Sequence, residues 1–341
     1  MNKKKVLANI LSETYMLELL GKVNSTLFNS LIILAYHRIF YMGEENDFPF
    51  DPELISATPE EFRRQMLYVK KYFNVVSFQD VLNHIDNKKM LPKRSVIITF
   101  DDGHYDNFSN AYPVLKSLDI PATIFLSSGY IDGDNVFWFD QVAYVIYKTN
   151  EKTLTISQDV SFTIGSDVEN RRSVTEDVLE YLKSIPDNLR LECINDIKNQ
   201  LNVKFVNDED KSLSSCLKWQ HVIEMSDNGI EFGSHTMSHP ILSRLTNEEL
   251  LIEISKSKSD IESKLNKTVD TIAYPVGGTD EYSDDVINCC KKSGYRLGIS
   301  YVSGIEPLDI PDLFQIKRLH VERYTTINMY KAMLQLPQIF K

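Results

Sequence analysis

The sequence predicts an α/β protein whose strands are mostly parallel, and two observations support this class. Continuous apolar, β-branched runs, such as residues 31–36 and 95–100, indicate strands that are buried on both faces. Helical segments follow such runs repeatedly, so that strand and helix alternate along the chain. About eight strands in this order predict a parallel sheet, either open or closed into a barrel.

The helices between these strands carry recognisable start and stop signals. Thr58 with Glu61, and Thr246 with Glu249, have the spacing of capping boxes, in which a Thr and a Glu satisfy each other's free backbone N–H groups. Pro113 predicts a kink or a break in the helix near residues 107–118.

Length and composition bound the architecture and the partners. The chain has 341 residues, of which 43% are hydrophobic, and a net charge of −11. It is long enough for one large α/β domain with an insertion. We expect residues 1–30 to form an N-terminal helix packed on a barrel of residues 31–341, interrupted by a polar, largely helical insertion at 133–215. The acidic balance argues against a nucleic-acid partner and favours a neutral or locally cationic substrate.

Several features bear on location. None of the four cysteines forms a CxxC pair, which indicates reduced thiols and favours the cytoplasm. The apolar run at residues 6–11 is short and lacks a small-residue cleavage site, so we expect no signal peptide. No stretch reaches the roughly 18–20 apolar residues of a membrane span. Residues 6–20 predict an amphipathic helix, for which docking on the protein's own core is favoured over contact with a membrane surface.

Two adjacent carboxylates end the strand at residues 95–100. Asp101 and Asp102 repel each other there, so a metal ion, an arginine or an imidazolium is expected beside them. The ends of parallel strands are also where α/β folds place their chemistry. The alternative is structural: Asp102 caps the next helix and Asp101 lies in the turn.

Two histidines follow another strand in the same way. His235 and His239 come directly after the strand at residues 230–234, and their spacing suits joint ligation of a metal ion. Taken alone, the pair is more typical of two unrelated exposed histidines. Two imidazoles and one carboxylate with an open position are, however, how proteins hold a catalytic zinc. Because both motifs follow strands of one parallel sheet, we predict a metal site at their shared edge.

Further candidates are less specific. The turn at Tyr274-Pro275-Val276-Gly277 is either a simple chain reversal or a source of backbone N–H groups that bind an oxyanion. His320, near the end of the last strand, is a structural histidine or a general acid. His37 and His104 lie on the same predicted edge, as substrate-binding or structural residues.

These motifs together resemble the polysaccharide deacetylases, the NodB-homology family of carbohydrate esterases. The resemblance rests on residues 99–103, 235–239 and 274–277, and covers about residues 31–130 and 216–321. Tyr36-His37-Arg38 is similar to the branch that acts on bacterial exopolysaccharides. The resemblance implies a distorted (β/α) barrel of seven or eight strands, with a divalent metal held by Asp102, His235 and His239.

The resemblance also implies a reaction. Asp101 would be the general base and His320 would protonate the departing amine, while an N-acetylated sugar or glycan would be the substrate. We expect Zn²⁺, with Co²⁺, Ni²⁺ and Fe²⁺ as alternatives. The residues implied to contact the substrate are Tyr274, Pro275, Gly277, His37 and His104. Ala273 stands where the family often carries an arginine that orients the base, although the exopolysaccharide branch tends to lack it.

Two other functions fit the same residues. The barrel could hydrolyse a non-sugar amide, since the insertion is large enough to reshape the pocket. It could also bind glycans without catalysis, because Ala273 leaves the base without an identified partner.

Overall fold

The computed structural model describes residues 3–14, 16–27, 29–87, 89–133, 135–203 and 208–340. The strands are β1 (Ser30–Tyr36), β2 (Arg38–Ile39), β3 (Ile55–Ala57), β4 (Asn74–Val75), β5 (Ser95–Phe100), β6 (Thr123–Leu126), β7 (Thr153–Ser157), β8 (Val160–Thr163), β9 (Glu231–Ser234), β10 (Thr271–Ala273), β11 (Leu297–Ser303), β12 (Glu306–Pro307) and β13 (Ile316–His320). The helices are α1 (Lys3–Glu13), α2 (Met16–Leu27), α3 (Pro59–Tyr72), α4 (Phe78–Asn87), α5 (Tyr112–Leu118), α6 (Trp138–Lys148), α7 (Val168–Ser184), α8 (Asp187–Leu201), α9 (Asp208–Leu213), α10 (Trp219–Asp227), α11 (Asn247–Leu265), α12 (Asp284–Lys292), α13 (Ile327–Gln335) and α14 (Pro337–Phe340).

Seven parallel strands of the described chain close into a barrel. Their order is β1-β13-β11-β10-β9-β6-β5, and β5 pairs again with β1. The short β4 lies parallel beside β5, and β12 pairs antiparallel with β1. The predicted distorted (β/α) barrel is therefore confirmed. Both faces of its strands are buried, which explains why they appear in the sequence as uninterrupted apolar runs.

The side chains of the barrel strands alternate between two cores. Every second side chain points into the barrel, where Leu31, Ile33, Ile97, Phe125, Ile299 and Ile316 pack together. The side chains between them pack against the surrounding helices. Gly233 of β9 leaves room for the Phe125 ring, because a Cβ atom there would lie only 2.4 Å from it.

The predicted helix signals form as expected. Thr58 with Glu61, and Thr246 with Glu249, make complete capping boxes at the starts of α3 and α11. The helix near Pro113 is distorted but continuous: residues 107–111 form a π-helical turn, and α5 follows directly with Pro113 in its first turn.

The polar stretch after β6 folds as a mostly helical unit. The hairpin β7–β8 and the helices α6–α8 bury their own apolar cluster, which includes Val142, Leu154, Val178 and Ile197. Phe48 and Phe50, from the loop between β2 and β3, belong to the same cluster. The insertion is thus anchored over one side of the barrel mouth.

The N-terminal segment contains two helices where one was predicted. Both pack on α13: Ser12 Oγ donates to Asn328 Oδ1 at 2.9 Å, and Asn24 Nδ2 donates to the Gln335 carbonyl at 3.1 Å. Within the described ranges, no helix has the length and apolarity that crossing a membrane would require.

Candidate metal and catalytic site

The candidate site lies at the C-terminal ends of the barrel strands, where the fold directs loops from several strands to one place. Asp101 and Asp102 follow β5, and His235 follows β9. Asp102 has a φ of 73° and His239 a φ of 57°, so both are held in the left-handed region that L-residues rarely occupy. Such backbone conformations persist where the surroundings fix them, and they concentrate at functional sites.

Asp102, His235 and His239 converge as a possible metal site. One potential ligand atom from each lies within 4.8 Å of the other two. Asp102 Oδ1 lies 3.5 Å from His235 Nε2 and 3.3 Å from His239 Nε2, and this oxygen has no hydrogen-bond partner among the described residues. His235 Nδ1 lies 2.8 Å from the Ala273 carbonyl. A hydrogen bond there leaves Nε2 as the ligand atom, so the donor set fits a divalent ion.

The loop that carries the two histidines is held by a buried carboxylate. Glu253 of α11 accepts hydrogen bonds from the Met237 and Ser238 N–H groups at 2.8 and 2.9 Å, and from Ser238 Oγ at 2.6 Å. Trp138 of the insertion donates from Nε1 to the His239 carbonyl at 2.9 Å. The loop is therefore fixed from both the barrel helices and the insertion.

Asp101 has a different partner, Arg318. The guanidinium donates from both terminal nitrogens to both Asp101 oxygens, each at 2.7 Å, and from Nε to the Ser300 carbonyl at 3.0 Å. Burial is the strongest single influence and raises the pKa of Asp101, but the charge and hydrogen bonds of Arg318, together with the nearby His235 and His37, outweigh it, and the pKa lies below its usual value. Asp101 is thus an ionised, oriented carboxylate beside the possible metal site.

Arg318 is the functional residue that sequence reasoning missed. Ala273 of β10 stands where the family often carries an arginine that orients the base. Here the arginine that binds Asp101 comes from β13. The available signal was a charged residue between Ile316 and Leu319 in a strand that otherwise indicates burial on both faces. The structure buries Arg318 completely.

A cavity of about 320 Å³ opens over these residues. Its barrel side includes Asp101, Asp102, His235, His239, His37, Tyr274 and Tyr301, and its insertion side includes Trp138, Phe139, Leu179 and Lys183. The insertion therefore forms one wall of the cavity, in line with the expectation that it is large enough to reshape the pocket.

The structure separates His37 from His320. His37 lines the cavity, with its Nε2 atom 4.0 Å from Asp101 Oδ2. His320 is not among the described residues that line it, and its ring stacks on Tyr301 at 3.7 Å. Burial, and then the Arg318 charge, lower the pKa of His320 to about 4, so that this imidazole holds a proton poorly. Of these two histidines, only His37 is among the described residues that line the cavity, and the proton-donor role predicted for His320 stays a prediction.

The structure places three of the predicted substrate contacts outside the described lining of the cavity. His104 is fully buried behind Asp102, so a substrate cannot reach it. Pro275 and Gly277 are not among the described residues lining the cavity, whereas Tyr274 is. The N–H groups of Tyr274 and Gly277 donate to the carbonyls of Ile299 and Pro275, so neither is available to an oxyanion. These N–H groups are committed to the strand and turn that shape the loop.

Comparison with known proteins agrees with this fold. A closed parallel barrel with an Asp-His-His cluster and a second, arginine-bound carboxylate at its rim defines the class of barrel hydrolases with a candidate metal centre. The profile of the polysaccharide deacetylases matches residues 88–298, and the chain belongs to this family.

The individual relatives share at most about a third of their residues with this chain over the matched segments. The chain is 34% identical over 114 residues to a poly-β-1,6-N-acetyl-D-glucosamine N-deacetylase of Staphylococcus epidermidis, covering 31% of this chain and 39% of that protein. The Staphylococcus aureus enzyme of the same name is 30% identical over 132 residues, which cover 37% of this chain and 45% of that protein. The matched segments thus span less than half of these two relatives. The Streptococcus pyogenes deacetylase PplD shares the fold, with a TM-score of 0.59 at 21% identity over 90% of this chain and 98% of that one.

Proposed function

We propose that this chain is a metal-dependent deacetylase that removes N-acetyl groups from an amino sugar in a glycan or a glycan precursor. One observation supports the proposal above the others: two adjacent buried carboxylates have different partners. Asp102 faces two imidazoles, and Asp101 is bound by a guanidinium. This arrangement separates a metal ligand from a general base, as hydrolysis of an amide by a metal-activated water requires.

Asp102, His235 and His239 would hold the metal, with Zn²⁺ as the first expectation and Co²⁺, Ni²⁺ or Fe²⁺ as alternatives. When bound, a divalent ion polarises an amide carbonyl and lowers the pKa of a bound water. The Ala273 carbonyl orients His235 through Nδ1, and Glu253 fixes the loop that carries His239.

Asp101 accepts the proton of the attacking water in this proposal. Arg318 keeps the carboxylate ionised and fixes the direction of its oxygens, since both are engaged by hydrogen bonds of 2.7 Å. The cost of burying this charge is met by the guanidinium, which is itself bonded to Ser300 and Thr99. Asp101 can therefore accept a proton at any pH at which its carboxylate is ionised.

His37 is the group best placed to give a proton to the departing amine. It lines the cavity on the side of Asp101 and retains some exposure, so a substrate nitrogen in the cavity can reach it. The carbon–nitrogen bond then breaks, acetate is formed, and the free amine remains on the sugar.

The substrate class follows from the relatives and from the cavity. The staphylococcal relatives are named for poly-β-1,6-N-acetyl-D-glucosamine, which makes a β-linked N-acetylglucosamine glycan the first candidate. Trp138 and Phe139 bring apolar ring surface to the insertion wall, suited to the apolar faces of a pyranose. We also propose a cytoplasmic location, which the free state of the four cysteines supports.

Acetate release tests the proposal. The purified chain would be incubated with β-1,6- and β-1,4-linked N-acetylglucosamine oligomers, and with small ureides and cyclic imides, each with and without a chelator. We expect chelator-sensitive acetate release from one of the sugars, and none from Asp101→Asn or His235→Ala variants. Turnover of the small amides alone would favour the amidohydrolase alternative, and glycan affinity without acetate release would favour a binding protein.

A further inference from the structure

The outer faces of α1 and α2 are apolar where a helix at a protein surface normally carries polar residues. In α1, Leu7 and Ile10 are one turn apart and exposed. In α2, Met16, Leu19 and Val23 follow the i, i+3, i+7 spacing of one helical face, with Leu19 65% and Val23 52% exposed. The opposite faces are already used, since Ala8 and Leu17 belong to the main core. Each helix is therefore apolar on two sides, and only one side has a partner within the described residues.

The charge of this helical pair differs from that of the rest of the protein. Residues 3–27 contain four Lys and two Glu, whereas the whole chain has a net charge of −11. Lys3 and Lys5 are exposed beside the apolar stripe of α1, and Lys22 beside that of α2. A basic rim around an apolar face matches the surface of an anionic membrane, in which acyl chains lie beneath negative headgroups.

We propose that α1 and α2 form an in-plane anchor that binds the surface of anionic phospholipid membranes. The stripes of Leu7 and Ile10, and of Met16, Leu19 and Val23, enter the boundary between headgroups and acyl chains, and the lysines contact the phosphates. Packing on α13 keeps the helices attached to the barrel, so the protein lies on the membrane without crossing it. This inference is independent of the chemistry at the barrel mouth.

Vesicle sedimentation tests the anchor on the full chain. We expect binding to vesicles of phosphatidylglycerol and phosphatidylcholine at 30:70 on the order of tenfold stronger or more than to pure phosphatidylcholine, falling with salt. The double variant L19E/V23E should lose at least about tenfold in affinity, since two charges would have to enter the apolar layer. K3Q/K5Q should lose about fivefold per lysine.

The matched control is L251E/I252E, because Leu251 and Ile252 of α11 are about as exposed as Val23 but lie far along the chain on a helix whose three lysines are outnumbered by five acidic residues. This variant should bind vesicles as the parent does. Absence of binding to the anionic vesicles, or equal loss in the control, would overturn the proposal. So would a dimer in light scattering that L19E/V23E converts to a monomer, since a second copy would then cover this face. Acetate release from soluble oligomers should be the same in all these variants.

A separate observation concerns His104. Its imidazole is fully buried, and neither ring nitrogen has a hydrogen-bond partner in the described part of the chain. Leaving buried polar atoms unpaired is costly, so such a side chain calls for an explanation. Its Nε2 atom lies 3.5 Å from Asp102 Oδ2, whereas Oδ1 of the same carboxylate faces His235 and His239.

The insertion fixes the loop that carries His104. The Tyr105 N–H donates to the Ser215 carbonyl at 2.8 Å, and the Leu217 N–H donates to the Gly103 carbonyl at 2.9 Å. The Phe137 ring lies 5.3 Å from the imidazole. The ring is therefore held against the back of Asp102 by contacts on two sides.

We infer that His104 is a positioning residue that acts through Asp102. A hydrogen bond from Nε2–H to Oδ2 would fix the rotation of the carboxylate and leave Oδ1 as the single oxygen for the metal. This inference rests on the proposed metal site, and it gives a reason for an imidazole that a substrate cannot reach.

Metal affinity tests this role. His104→Gln retains an N–H donor at a similar reach, whereas His104→Leu removes it. We expect His104→Leu to weaken Zn²⁺ affinity about 10- to 100-fold in a chelator competition, and His104→Gln to retain most of the affinity of the parent. The visible spectrum of the Co²⁺ form should change with Leu and less with Gln.

Equal Zn²⁺ affinity in the parent and His104→Leu, or equal loss in the Leu and Gln variants, would overturn the inference. Failure of the proposed function is distinguishable, because the parent chain would then bind no Zn²⁺ or would bind it without releasing acetate.

Discussion

Arg318 binds Asp101 through two parallel hydrogen bonds of 2.7 Å inside the barrel, more than two hundred positions away along the chain. A planar guanidinium matches both oxygens of a carboxylate at once, so it fixes direction as well as charge. The neighbouring Asp102 has no such partner and turns to the imidazoles. The pair of adjacent carboxylates is thereby divided into two chemical roles.

Replacing Arg318 by Met should leave Asp101 buried without its partner. Breaking a buried ion pair in this way costs about 3–5 kcal/mol, which urea unfolding would measure. Because Arg318 lowers the pKa of Asp101, its loss should raise that pKa and move the acid limb of kcat/KM to higher pH. The double variant R318M/D101N should regain part of the stability but no activity. An unchanged acid limb in R318M would contradict the assignment of Asp101 as the base.

The two carboxylates should respond differently to the same substitution. Asp101→Asn should lower kcat about 10²- to 10⁴-fold while Zn²⁺ affinity stays close to that of the parent, because the proton acceptor is lost and Asp101 is not one of the proposed metal ligands. Asp102→Asn should instead weaken Zn²⁺ binding, because a neutral amide replaces an anionic ligand. Metal content and acetate release, measured on the same preparations, check the split. Equal loss of metal in both variants would show that the roles are shared.

His37 and His320 can be separated by matched Asn substitutions. His37→Asn should lower kcat by about 10²-fold or more, since the group facing the cavity is removed. His320→Asn should have a much smaller effect on kcat and act mainly on stability. A larger loss of kcat in His320→Asn than in His37→Asn would instead support His320 as the general acid.

The loop of the metal histidines should depend on Glu253. Glu253→Gln weakens three hydrogen bonds from residues 237 and 238, and bonds to a charged group contribute about 1.5–3 kcal/mol each. We expect lower stability and about tenfold weaker Zn²⁺ binding. Glu262→Gln is the control, because Glu262 lies on the same helix and accepts from Val269 N–H away from the site. It should lower stability and leave Zn²⁺ affinity unchanged.

Much of the fold and part of the site were predictable because their signals are local. The apolar runs of the strands, the capping boxes and the helix distortion at Pro113 depend on neighbours within a few residues. The convergence of Asp102 with His235 and His239 was also predictable, because every strand of a parallel barrel ends at the same rim. The position of the insertion over the cavity was not, since nothing in residues 133–215 indicates which side of the rim it covers.

The sequence by itself determined that parallel strands carry two carboxylates and two histidines to one edge. The order of residue types indicates which strands are buried and that helices alternate with them, and this alternation makes the strands parallel. Only the tertiary structure decided which positive charge meets Asp101, which histidine faces the cavity, and that His104 lies behind the site. Those choices depend on how the strands stagger around the barrel. Residues as distant as Asp101 and Arg318 meet there, and no local pattern encodes that meeting.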